Sequence, residues 1–155
     1  MTVPGQIKQP LRCVVSRSAQ LDLSLPIFST PGGQIHWLAT DEESNRVENS
    51  MKGGVIVHHG SLEKFLGCLA NEYHIKRIHC EGGGQLIRSL AELNWIDEYH
   101  LTIAGHTLFG GFQAATATGI PGDFLKNSLQ FEISEFLPNP VNGECFLTYH
   151  KIAKS

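Results

Sequence analysis

The chain has 155 residues, of which 41% are hydrophobic and 17% charged, with a formal charge of −3. That size fits a single domain over 1–155, able to remove about two thirds of its unfolded surface from water. The mild acidity, with no dense run of Lys or Arg, excludes an obvious nucleic-acid surface. The apolar runs fall far short of a membrane span and the N-terminus lacks a secretory pattern, so no membrane partner and a cytoplasmic location are expected.

The first ten residues, with Pro4, Gly5 and Pro10, read as an irregular lead-in. Leu11-Arg12-Cys13-Val14-Val15-Ser16 has strand length and is too continuously apolar for a strand with one wet face, which predicts a central strand. Ser18 to Pro31 reads as an ordered loop, Ile35 to Ala39 as a second strand, and Thr40 to Gly54 as a polar surface stretch. Val55-Ile56-Val57 gives a third strand. A helix then opens at Gly60-Ser61, where Ser61 caps a free amide and Glu63 sits in the favourable first turn. Leu62, Phe65, Leu66, Leu69 and Tyr73 recur at three- and four-residue spacing, so one side of that helix is buried.

Ile75 to Cys80 is the next expected strand, Gln85 to Leu93 the next helix and Tyr99 to Ile103 a further strand. This alternation is the signature of crossover units on a largely parallel sheet. In the tail, Leu129, Phe131 and Ile133 alternate with polar residues, and Glu144 to Ile152 is again strand-like. Asn142-Gly143 supplies left-handed turn conformations between them, which predicts a closing antiparallel pair joined by a long segment from Phe136 to Gly143.

Cys13, Cys68, Cys80 and Cys145 form no CxxC pair and are expected as reduced thiols packed in a core. The eight histidines show no HxxxH or HExxH spacing, so no metal site is expected. His106, just after a predicted strand end, is the best candidate for a polar contact to substrate. No GxSxG elbow exists, which argues against hydrolysis by a serine nucleophile.

The most informative segment is Ile78 to Ile87, where a predicted strand runs into Gly82, Gly83 and Gly84 and then into a helix carrying Leu86, Ile87, Leu90 and Leu93 on one side. Such a junction aims unpaired amides and the positive end of the peptide dipoles past the strand end, and glycines let a diphosphate come close. Ligands of open α/β sheets gather beyond the carboxyl ends of the strands. Glu81 would repel a diphosphate, so it is read as an acceptor that fixes the turn or contacts a sugar hydroxyl. The segment matches neither GxGxxG nor the phosphate loop.

Cys80-Glu81-Gly82-Gly83-Gly84-Gln85-Leu86, Leu93-Asn94-Trp95-Ile96-Asp97-Glu98, and Leu101-Thr102-Ile103-Ala104 through Gly110-Gly111 resemble the reductase domain of the riboflavin deaminase-reductases. Leu11 to Ser16 through Pro26-Ile27-Phe28 resembles it too, so the similarity covers nearly the whole chain. The resemblance implies an α/β, dihydrofolate-reductase-like fold: a mostly parallel central sheet flanked by helices, with a C-terminal antiparallel strand pair. It implies hydride transfer from NADPH, reducing the ribose of a ribosylamino-pyrimidine phosphate to a ribityl group. On the matching positions, Gly82, Gly83, Gly84, Gln85, Gly110 and Gly111 are expected at the cofactor, Glu81 and His106 at the substrate, and Asp97-Glu98 as the acidic pair before a strand. No catalytic residue is assigned.

Two departures stand out. Gly105 occupies a position where the family usually has proline, and no segment matches the Ser-Leu-Asp-Gly-like front of the family domain. A partial domain is therefore expected, with a homodimer covering the surface or edge that such a gap leaves. A catalytically silent nucleotide-binding or assembly module is the alternative reading.

Overall fold

The computed structural model describes residues 9–17, 22–40, 50–52, 54–106 and 123–152, with the side chains of 50–52 outside that description. The chain divides into two compact units, Met1–Ile78 and His79–Ser155.

The first unit is built on a four-stranded sheet of β1 (Arg12–Ser16), β2 (Ile35–Ala39), β3 (Ser50–Lys52) and β4 (Val55–His59), in the order β1-β2-β4-β3. β1, β2 and β4 run parallel and β3 is antiparallel to β4. Every residue of β2 is buried, as a central strand covered on both faces requires. The expectation of a central position for β1 is corrected: among the described strands it is an edge, and most of it is only half buried. β3 falls in the stretch read as polar surface, where Ser50, Met51 and Lys52 give no apolar alternation to announce a strand. The segment expected as one ordered loop contains a single helical turn, α1 (Pro26–Ser29).

Side chains alternate across the sheet. One face carries Ile35, Trp37, Val55 and Val57, with Val14, Leu23 and Phe28 packed against them. Arg12 holds the loop on this side of the chain in place, donating to the carbonyls of Gly33, Ile27 and Thr30 at 3.1, 2.8 and 2.9 Å. The opposite face carries His36 and His58 and is covered by α2 (Leu62–Asn71). Its start is as the sequence predicts: Ser61 Oγ accepts the Lys64 amide at 3.3 Å and Glu63 lies in the first turn. Phe65, Leu66 and Leu69 form its buried side.

The second unit begins with α3 (Gly84–Glu92) and continues into a wholly antiparallel sheet of β5 (Glu98–Ile103), β6 (Phe131–Asn139) and β7 (Glu144–Lys151), in the order β5-β7-β6. The closing pair is therefore β6 and β7, and β5 adds to it antiparallel to β7 rather than joining the parallel sheet. β6 reaches Asn139, so the turn is four residues, Pro140 to Gly143, and shorter than the sequence suggested. The strand expected at Ile75–Cys80 is absent: these residues lie in no ladder, and Lys76 to Cys80 are exposed. Ile75 and Ile78 are the segment's only β-branched residues and no strand pairs with it, and pairing, not propensity, makes a strand.

The cysteines depart from expectation as well. All four are free, but Cys13 and Cys80 are exposed and Cys68 and Cys145 only half buried. No helix among the described residues is long and apolar enough to cross a membrane.

Candidate functional site

Gly83 is the N-cap of α3, with φ −75° and ψ 179°, and no side chain caps the helix. Its carbonyl accepts the amides of Leu86 and Ile87 at 3.0 and 3.2 Å, closing the first turn. Among the described residues the amides of Gly84 and Gln85 have no backbone acceptor, so the helix end keeps two donors and its positive dipole end free. Ile75 to Gly83 lie in no helix and no ladder, so the bend is reached from a loop rather than from a sheet strand.

The adjacent glycines serve different ends. A Cβ on Gly82 would lie 2.6 Å from Leu86 Cδ2 and 3.1 Å from its Cβ, so a side chain at Gly82 would need Leu86 to shift. A Cβ on Gly83 would meet nothing within 4 Å, and its backbone angles suit any residue. The space at Gly83 is thus open to a ligand approaching the bare amides. Gln85, at the second helical position, is exposed and accepts Ser89 Oγ through its carbonyl at 3.1 Å.

Glu81 does not cap the turn. Its carboxylate lies 3.4 Å from His79 Nε2, with both side chains largely exposed, which leaves the acid free to swing and makes the contact weak. The acidic pair at the start of β5 is structural in its contacts: the Asp97 carbonyl accepts the Lys151 amide at 2.9 Å, and the Glu98 carboxylate lies 2.6 Å from His100 Nε2 and 3.4 Å from His150 Nε2. His106 is exposed three residues past β5. Just before it, Gly105 packs against the β6–β7 turn so closely that a Cβ would collide with the Asn142 carbonyl and lie 2.7 Å from the Gly143 carbonyl carbon. Gly110 and Gly111 lie outside the described residues.

Behind α3 the second unit has an open pocket of about 450 Å³ with a mainly apolar lining. Ile87 and Ala91 of the helix face Tyr99, Leu101 and Tyr149 of the sheet across it. Burial, and then the neighbouring Tyr149, push the Tyr99 hydroxyl pKa upward.

One constellation had no sequence signal beyond two histidines on short apolar runs. His36 Nδ1 and His58 Nε2 are 2.9 Å apart beneath α2, with residue exposures of 0% and 6%. Burial depresses both imidazole pKa values, helped at His36 by the charge of His58; at His58 the Glu72 carboxylate opposes the shift and His59 adds to it. Among the described residues no group of three or more His, Cys, Asp or Glu is arranged to hold a metal ion.

No curated protein sequence matches the chain significantly. The family model of the RibD C-terminal domain matches residues 1–138. Among solved structures, RibD of Acinetobacter baumannii is similar with a TM-score of 0.69 and 20% identity, over 98% of this chain and 42% of that one. A pyrimidine reductase-like protein of Corynebacterium diphtheriae gives 0.66 and 19%, over 94% of this chain and 62% of that one. The riboflavin biosynthesis reductase Rib7 of Saccharomyces cerevisiae gives 0.59 and 13%, over 93% and 70%. The chain thus spans less than two thirds of the length of the first two proteins named. These likenesses show a shared fold, the dihydrofolate-reductase-like fold of RibD reductases. With its match over residues 1–138, the chain belongs to the RibD C-terminal domain family, a riboflavin-biosynthesis reductase family.

Proposed function

We propose that the chain is an NADPH-dependent reductase that converts the ribose of a ribosylamino-pyrimidine phosphate to a ribityl group. The observation that carries this reading is the bare N-terminus of α3, with free amides at Gly84 and Gln85 and open space at Gly83, in a chain of this family. Two free amides, the helix dipole and no side-chain cap fit a diphosphate. Gly82, Gly83, Gly84 and Gln85 would hold that group, together with Gly110 and Gly111. Bound there, NADPH would supply the hydride.

In this reading the hydride adds at C1 of the ribose and a proton reaches the ring oxygen as the C1–O bond breaks, leaving an open ribityl chain. The protein's contribution is to hold donor and acceptor in register and keep water out, which needs no nucleophile. Glu81, free of the helix cap, would accept from a sugar hydroxyl, and His106 would donate to the acceptor's polar groups. The reading further holds that residues 1–155 act as one reductase domain in the cytoplasm.

A homodimer belongs to the same proposal. Among the described strands β6 is an edge of its sheet, and Ile133, Phe136 and Leu137 on it are 55%, 60% and 51% exposed, an arrangement that invites pairing with a second copy.

The decisive test mixes purified protein, NADPH and the ribosylamino-pyrimidine phosphate and follows loss of nicotinamide absorbance. Turnover supports the reading. NADPH binding without turnover points instead to a silent nucleotide-binding module, and absence of both removes the reductase reading.

A further inference from the structure

We propose that the His36–His58 pair is an acid-sensitive clasp that keeps α2 docked on the parallel sheet only while both imidazoles are neutral. The two rings come from the central strands β2 and β4 and share one hydrogen bond of 2.9 Å. They stack at 5.2 Å between centroids, with Tyr73 edge-on to His36 at 4.4 Å and Phe65 against His58 at 5.0 Å. The pair is thus the floor on which α2 and the residue just after its C-cap rest.

A neutral pair needs one N–H between the two nitrogens, and one ring donates while the other accepts. The outer nitrogen of His36, Nε2, is buried and has no partner among the described residues. Adding a proton to this pair leaves one N–H between the rings but puts a further N–H on an outer nitrogen, and a full charge, into the interface. A buried charge without a compensating partner is costly enough that the structure opens instead.

The ionisable groups around the pair do little to offset that cost. On α2 and its C-cap these are Cys68 and Glu72, with Tyr73 just beyond; Cys13 on β1 pairs in register with His36; His59 follows His58 on β4. Glu72 is the single carboxylate among these groups; it is exposed at the end of α2, and its pull on His58 is outweighed by burial. The folded-state imidazole pKa values lie below the unfolded ones, so the unfolded unit binds more protons. The stabilisation is therefore present above the ordinary imidazole value, and it is lost as pH falls from there through the folded values.

Amide hydrogen exchange on the full chain, corrected for intrinsic rates, tests this. Protection of the Phe65 to Leu69 amides is expected to fall below about pH 6.5, by up to about tenfold per pH unit for each imidazole. The double variant His36→Phe/His58→Leu is expected to lose that slope. Retention of the same slope in the variant, or unchanged α2 protection in the natural chain down to about pH 5, overturns the proposal. Should the variant not fold, ring nitrogen shifts in the natural chain decide. Both rings must stay neutral while α2 is protected, and imidazoles that charge with α2 still protected refute the clasp.

Discussion

Gly105 and Gly83 differ in what a single methyl group would meet. At Gly105 it would run into the Asn142 carbonyl and the Gly143 backbone, so Gly105→Ala is expected to lower stability by about 1–3 kcal/mol, read from the urea midpoint at constant slope. The loss should be confined to stability if the turn simply moves aside. At Gly83 the methyl meets nothing and φ is −75°, so Gly83→Ala should leave the urea midpoint where it is. If a diphosphate rests on the Gly84 and Gln85 amides, the same substitution crowds it and weakens NADPH binding by about tenfold or more, the worth of one hydrogen bond to a charged group. Calorimetry on a variant of unchanged stability separates the two effects. Ser61→Ala removes the cap on the Lys64 amide and should cost about 1 kcal/mol.

These residues also mark what a sequence can and cannot disclose. Ser61 is legible because capping is local, four residues deep. The difference between Gly82 and Gly83 is not, since it depends on where the Leu86 side chain lies. Gly105 reads as a missing proline until the turn it touches, almost forty residues on, is in view. His36 and His58 sit in strands that look ordinary, and only the register of β2 against β4 brings their nitrogens together.

At the scale of elements, α2 was legible over Phe65, Leu66 and Leu69 because three- and four-residue spacing reports a buried stripe whatever the partner is, while Tyr73, read into the same stripe, lies just past the C-cap Glu72. Leu69 lies in that stripe at 1% exposure, and Leu69→Ala is expected to cost about 2–5 kcal/mol, measured by chemical denaturation. Strand pairing was less legible. Tyr99 to Ile103 has the composition of a strand in either kind of sheet, and its antiparallel register with β7 joins residues nearly fifty apart. Ile75 to Cys80 joins no ladder and leads into Gly83 as irregular chain. The bend itself survives that correction, because bare amides arise from the start of α3 and not from the strand before it.

At the scale of the molecule, the two units have separate sheets of different kinds, one mainly parallel and one antiparallel. The alternation of helix and strand announced an α/β fold, and blocks of matched residues announced the family, which the RibD C-terminal domain match establishes. Chemistry was legible only as far as the glycine turn. The proposed homodimer is open to light scattering at micromolar protein: twice the chain mass is expected, and the monomer mass would remove it.

The central claim is that the open end of α3 receives the nicotinamide cofactor. Titrating NADPH into isotope-labelled protein and following the backbone amide resonances tests it directly. The largest shifts are expected at Gly83, Gly84 and Gln85, saturating with added NADPH. Saturating shifts centred elsewhere, or spectra that NADPH leaves unchanged, would contradict the account.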